Sequence, residues 1–233
     1  MKLSNAVVLI TGANRGIGLA FAREALARGA RKVYAGARQP ASITLPGVEA
    51  LQLDVTSAAD IAAAAQRCQD VTVLINNAGV ATLGGFLADA DGESSRAQLE
   101  TNFFGPLRMS QAFAPVLAAN GGGAIVNVLS VASWINRPLL GVYGATKSAA
   151  WALTNGLRHE LRAQGTQVLG MHMGFVDTDL TRGIDMPKST PGDVVRRALD
   201  ALEAGADEVL ADDITRQVKQ GLSAEPGVYL VPA

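Results

Sequence analysis

Tyr143 and Lys147 stand four residues apart in a stretch that reads as helix, so both project from one side of it. A tyrosine with a free pKa near ~10 is a poor base at neutral pH. An ammonium held beside it favours the phenolate and lowers that value. Such a pair can exchange a proton with an alcohol or carbonyl oxygen. Ser130 lies 13 residues before Tyr143 and offers a hydroxyl that could hold the same oxygen. No Gly-x-Ser-x-Gly elbow surrounds it, which argues against a nucleophile. A lone Tyr-x-x-x-Lys ordinarily marks a half-buried helix face, and the serine at this spacing is what turns the reading toward chemistry.

A second block lies near the start, Thr11-Gly12-Ala13-Asn14-Arg15-Gly16-Ile17-Gly18, between a strand-like run and an alanine-rich helix. A helix N-terminus has unpaired N–H groups and partial positive charge, and it binds phosphate. Glycine lets the backbone turn sharply and approach a pyrophosphate. The spacing is Gly-x-x-x-Gly-x-Gly rather than the commoner Gly-x-Gly-x-x-Gly, and a glycine turn alone is also simply a turn.

The elements that must carry these blocks alternate. Strand-like runs fall at 6–10, 32–36, 48–53, 71–75, 124–129, 166–171 and 208–210. Helical stretches fall at 16–28, 57–67, 97–119, 143–163, 191–204 and 212–222. Ser57 and Asp60 have the spacing of a capping box, and Pro191 suits a first helical turn. The strands are continuous apolar runs, which means burial on both faces. Strand–helix alternation then gives an α/β fold: a Rossmann-like, doubly wound parallel sheet of about seven strands with helices on both faces. No Pro-, Gly- or Ser-rich linker divides the chain, so one domain is expected over 1–233.

Composition narrows the function. The 20 basic and 21 acidic residues give a net charge of −1, which argues against a nucleic-acid groove. With 48% hydrophobic and 18% charged residues the chain is not disordered. Cys68 is the single cysteine, so an internal disulfide and a thiolate metal site are both excluded, and no other ligand cluster suggests a metal. The run 7–10 is too short for a secretory signal, and no stretch approaches the ~20 apolar residues of a membrane span. A soluble, cytoplasmic protein without a membrane or nucleic-acid partner is expected.

The glycine turn, Asn76-Asn77-Ala78-Gly79 after the fourth strand, and Ser130 followed by Tyr143-Gly144-Ala145-Thr146-Lys147 occur in one order. In this the chain, from about residue 6 to 178, resembles the short-chain dehydrogenase/reductase family, of the NADP(H)-preferring carbonyl reductase type. The resemblance implies that Tyr143 is the general acid/base, that Ser130 positions the oxygen, and that Lys147 both tunes Tyr143 and holds the nicotinamide ribose. It implies that Asn102 holds a proton-relay water. It places Gly12, Asn14, Arg15, Gly16, Ile17, Gly18, Asp54, Val55, Asn77, Ala78, Gly79, Gly174, Val176 and Thr178 along the cofactor, Thr178 at the carboxamide. Asp54 would meet the adenine amine, or else cap the helix that follows. Asn76 is as readily structural as functional.

The second strand ends Gly36-Ala37-Arg38, with no acidic residue where an NAD-selective site needs one. Arg38 and Arg15 could clamp a 2′-phosphate; the alternative is two solvated arginines. NADP(H) is therefore the expected cofactor. Val80, Ser133, Trp134, Leu140, Phe175 and Ile184 are candidate substrate walls in and around a loop near 174–190. Val131, Ile135, Leu180 and Met186 are further ones, unless they only pack the loop. These mostly apolar walls suit a hydrophobic ketone, aldehyde or alcohol. Met173 stands where the family usually has proline, which leaves the rigidity of that turn open. His159 and His172 receive no role. Reduction of a β-ketoacyl or other biosynthetic keto intermediate is a second reading, and a non-catalytic NADP(H)-binding sensor a third. The small-residue stripe Ala145, Ala149, Ala152 and Gly156 on the Tyr143 helix suggests a homo-oligomer. The tail 222–233, with Pro226 and Pro232, leaves dimer or tetramer open.

Overall fold

The computed structural model describes residues 1–231; Pro232, one of the two tail prolines, lies outside them. Strands β1 (Val7–Thr11), β2 (Lys32–Ala37), β3 (Glu49–Gln52), β4 (Val73–Asn76), β5 (Ala124–Val128), β6 (Gln167–His172) and β7 (Glu208–Leu210) form one sheet in the order β3-β2-β1-β4-β5-β6-β7. Every pairing is parallel. The helices are α1 (Gly16–Ala27), α2 (Ala58–Arg67), α3 (Glu93–Leu99), α4 (Gly105–Ala119), α5 (Gly141–Glu160), α6 (Pro191–Glu203) and α7 (Asp213–Gly221).

The apolar runs make two cores because successive strand side chains point to opposite faces. In β1, Val8 and Ile10 join Phe21 of α1 and Val194 and Leu199 of α6. Val7 and Leu9 join Ile61 of α2, Met109 and Phe113 of α4 and Leu157 of α5 on the other face. Both faces are therefore dry, as the unbroken strands demand. The strand order reverses beside β1, between β1 and β4, and the crevice beyond the carboxyl ends of an open sheet opens there.

Local signals behave as the residues dictate. Ser57 Oγ accepts from the Asp60 amide at 3.2 Å and caps α2. The long helix expected over 97–119 begins earlier, at Glu93, and is interrupted by a π-helical turn at Glu100–Phe104 before α4. Pro106 falls in the first turn of α4, where its missing N–H costs little. Asn102 sits inside the π turn and is fully enclosed.

Candidate active site

The turn after β1 is held from below. Asn77, just past β4, donates its side-chain amide to the carbonyls of Thr11 at 2.9 Å and Gly12 at 3.1 Å. Thr11 Oγ1 accepts from the amides of Asn77 and Ala78, each at 3.0 Å. Gly12 and Gly16 adopt φ of +66° and +52°, the left-handed region that glycine takes without strain. A side chain at Gly18 would put Cβ 2.1 Å from the Gly12 carbonyl oxygen, so the start of α1 can pack on the turn only through glycine.

Along this turn runs a cleft of about 1060 Å³. At one end it is lined by Asn14, Arg15, Ile17, Arg38, Asp54 and Val55, and at the other by Ser130, Tyr143, Lys147, Phe175 and Ile184. Gly12, Gly16, Asn77, Ala78, Gly79, Val80, Leu140, Gly174, Val176 and Thr178 line it between. The structure thus gathers most of the residues singled out from the sequence around one cavity. Arg38 is exposed at the rim. Arg15 is paired across the cleft with Asp179 at 2.6 Å, and Asp179 also holds Arg182. Asp54 turns its carboxylate onto the Thr56 amide and hydroxyl at 2.9 and 2.8 Å, so it braces the approach to α2 while still lining the cleft.

Four expected site residues lie off the cleft wall. Gly18 acts through packing, as above. Asn102 uses its side chain on protein partners: Oδ1 accepts from the Val80 amide at 2.9 Å, and Nδ2 donates to the Val80 carbonyl at 2.8 Å and Thr146 Oγ1 at 2.9 Å. It ties the loop after β4 to α5. Ser133 and Trp134 are corrected as substrate walls. They end a 3₁₀ turn (Val131–Ser133) whose Val131 and Ala132 line the cavity, while Ser133 and the C-cap Trp134 are not among its lining residues. Ser133 is buried, and Trp134 stacks on His172 with ring centres 3.9 Å apart. Ile135 and Met186 also lie off the wall, whereas Val131 and Leu180 line it.

The reactive groups meet at the base of the cleft. Ser130 Oγ accepts from the Ala132 amide at 3.1 Å and lies near the Tyr143 phenol. Lys147 Nζ donates to the Val128 carbonyl at 2.8 Å and stands 5.7 Å from the Tyr143 ring centre. A side chain at Gly79 would place Cβ 3.3 Å from Asn102 Oδ1 and 3.8 Å from Lys147 Nζ, so glycine keeps the lysine accessible from the cleft.

The sequence of the short chain dehydrogenase family matches residues 6–188. The chain belongs to that family. A short-chain dehydrogenase of Penicillium ochrochloron is 41% identical over 181 residues, 73% of this chain and 66% of that one. The chain thus spans about two thirds of that relative's length. Sorbitol dehydrogenase of Cereibacter sphaeroides is 36% identical over 195 residues, 79% of this chain and 76% of that one. A solved short chain dehydrogenase from Burkholderia cenocepacia in complex with NADP superposes with a TM-score of 0.94 at 39% identity, over 100% of both chains.

Within this short-chain dehydrogenase, charge placement differs from the expectation on one point. Burial pushes the Tyr143 phenol up to about 12, and the nearby Ser130 hydroxyl only partly opposes it. The same burial brings Lys147 down to about 8. Desolvation outweighs any lowering of the phenol by the lysine, whose ammonium is bonded to Val128 and stands 5.7 Å from the ring centre. The phenol therefore keeps its proton at neutral pH, the state from which it can donate.

The turn after β6 is firm without proline. The Gly174 amide donates to Asp212 Oδ2 at 2.7 Å, while Asp212 Oδ1 accepts from the Thr215 amide at 3.0 Å and caps α7. Asp212 escaped sequence reasoning because its partner lies 38 residues earlier. Asp179 and Thr181, also on the cleft, carried no motif.

Proposed function

We propose that this chain is an NADP(H)-dependent oxidoreductase that reduces a ketone or aldehyde to an alcohol, reversibly, with Tyr143 as general acid/base. The observation that carries this reading is that Ser130, Tyr143 and Lys147 line one cleft together with the glycine turn, Ser130 lying close enough to the Tyr143 phenol to favour its ionised form. The donor set fits a dinucleotide phosphate. A helix N-terminus, Arg15 and Arg38 supply positive charge at one end, and the second strand ends without a carboxylate to repel a 2′-phosphate. The Burkholderia relative, which holds NADP, supports the same cofactor, as does a short-chain dehydrogenase from Sphingobium yanoikuyae, 30% identical, in complex with NADPH.

When bound, the reduced nicotinamide supplies a hydride to the carbonyl carbon. Tyr143 gives its phenolic proton to the carbonyl oxygen, which becomes the hydroxyl of the product alcohol. Ser130 Oγ, polarised by the Ala132 amide, holds that oxygen in line. Lys147 keeps a positive charge beside the phenol as negative charge develops on it, and offers N–H donors to a ribose. The loop near 174–190 supplies Phe175, Leu180 and Ile184, whose apolar surface favours a hydrophobic carbonyl compound over a carboxylate. Reduction of β-ketoacyl or other biosynthetic keto intermediates uses the same chemistry, and a substrate panel separates the two. A sensor that binds NADP(H) without turnover has no need of Tyr143 and Lys147, and both are present.

The stripe Ala145, Ala149, Ala152 and Gly156 faces outward on α5, with open space at Gly156, and we assign it to a homodimer or homotetramer contact. No described helix is long and apolar enough to cross a membrane. A cytoplasmic location fits the single cysteine, which is buried and unpaired.

The test is NADPH oxidation across ketones, aldehydes and keto esters, with Tyr143→Phe as control. Turnover is expected in the wild type. In the variant it should fall by at least about a hundredfold while NADPH still binds. Retained turnover in Tyr143→Phe overturns the assignment.

A further inference from the structure

His172 was given no part in the chemistry above, yet it is fully buried at the end of β6 directly behind Ser130. Its Nδ1 lies 3.1 Å from the Ser130 carbonyl oxygen. A carbonyl has no proton to give, so Nδ1 carries the hydrogen and donates, and Nε2 keeps the lone pair. Nε2 has no hydrogen-bond partner among the described residues.

The charged groups around the ring come from three elements. Glu208 of β7 places Oε1 3.5 Å from Nε2. That carboxylate is itself held by Lys219 of α7 at 3.0 Å. Lys219, with Arg158 and Lys147 of α5, opposes a further positive charge, and burial does so more strongly, bringing the imidazole down to about 3. The ring is neutral throughout the working range and its tautomer is fixed by geometry.

Ser130 needs such a partner. Its neighbours Leu129 and Val131 donate their amides to the Met171 and Met173 carbonyls, each at 2.8 Å. The Ser130 carbonyl accepts instead from the Ser133 amide of the 3₁₀ turn at 3.0 Å and from His172. Both lone pairs of that oxygen are thereby occupied. The Ser130 peptide is fixed in rotation, and with it the side chain whose Oγ accepts from the Ala132 amide near Tyr143. Trp134, the C-cap of the same turn, lies stacked on the ring.

We propose that His172 is a positioning residue for the hydride-transfer site: its Nδ1–H fixes the Ser130 carbonyl and so aims the Ser130 hydroxyl at Tyr143 and the substrate oxygen. The inference rests on the reductase reading above. It predicts that loss of the donor lowers kcat and spares the cofactor, because the glycine turn and Arg38 lie at the other end of the cleft.

The test compares His172→Leu, which keeps bulk without a donor, with His172→Asn, whose amide nitrogen can stand in for Nδ1. His172→Leu should lower kcat about tenfold or more with NADPH affinity unchanged, since small misplacements of catalytic groups have large effects. His172→Asn should recover to within about threefold of wild type. Equal losses in the two variants, or wild-type kcat in His172→Leu, overturn the proposal. Should the variants fail to fold, nitrogen NMR of the wild type decides. With only two histidines in the chain, His172 should show a protonated Nδ1 and bare Nε2 unchanged between about pH 5.5 and 8. An Nε2–H tautomer or a titrating ring refutes this proposal alone. A wild-type chain that oxidises no NADPH with any carbonyl refutes the reductase reading, and the positioning role with it.

Discussion

Replacing Lys147 with methionine should make this protein more stable and inactive at once. Lys147 is 5% exposed, and its ammonium has one recorded hydrogen-bond partner, the Val128 carbonyl. Its folded-state value of about 8, against 10.5 in the open chain, corresponds to about 3 kcal/mol of native-state destabilisation at pH 7. Methionine fills the same stem but leaves the Val128 carbonyl without that donor, a loss of about 1 kcal/mol. The net gain for Lys147→Met is then about 2 kcal/mol at pH 7. The sign with pH follows from linkage. Below about 8 the lysine is charged in both states and the full penalty applies. Between about 8 and 10.5 the unfolded chain keeps the proton that the folded one has released, so wild-type stability rises with pH. By about pH 9.5 the advantage of the methionine variant should have shrunk by about 2 kcal/mol, close to zero. Urea denaturation at the two pH values measures this, provided the slope with denaturant is unchanged. A methionine variant less stable at pH 7, or an advantage that does not move with pH, refutes the reasoning. Stability sacrificed for a functional group is a common bargain at active sites.

Three further outcomes follow from the same geometry. Tyr143 at about 12 stays protonated through the working range, so the fall of kcat/KM for NADPH should track Lys147 and reach about tenfold between pH 7 and 9; a flat profile contradicts the assignment. Arg38→Asp sets a carboxylate at the rim where a 2′-phosphate would lie, and should shift the NADPH-to-NADH ratio of kcat/KM by at least about tenfold toward NADH. Gly18→Ala drives Cβ to 2.1 Å from the Gly12 carbonyl, and should raise the NADPH Kd at least about tenfold by opening the turn, as read by fluorescence titration.

Much of the site was legible because its signals are local. The four-residue interval from Tyr143 to Lys147, the glycines after β1 and the capping serine at 57 each act within one turn of chain. Other features were not. The interruption of the long helix at Glu100–Phe104 has no residue signature, since a π turn is stabilised by what packs on it, here the Val80 backbone and Thr146 held by Asn102. Ser133 and Trp134 follow Ser130 by a few residues and looked equally close to substrate. A 3₁₀ turn rotates successive side chains by about 120°, so Val131 and Ala132 reach the cleft while Ser133 does not. The firmness of the turn at Met173 depends on Asp212, in a different element.

The amino-acid sequence alone determined the parallel α/β sheet, the glycine turn after β1 and the identity of the hydroxyl, phenol and ammonium at the site, because apolar runs, glycine freedom and helical spacing are properties of short stretches of chain. Only the tertiary structure decided how those groups are charged and aimed. Burial, contributed by residues distant along the chain, keeps the phenol protonated and draws the lysine down, and a histidine 42 residues beyond Ser130 fixes the serine's carbonyl. Desolvation and long-range hydrogen bonds depend on what surrounds a group in space, which no local pattern encodes.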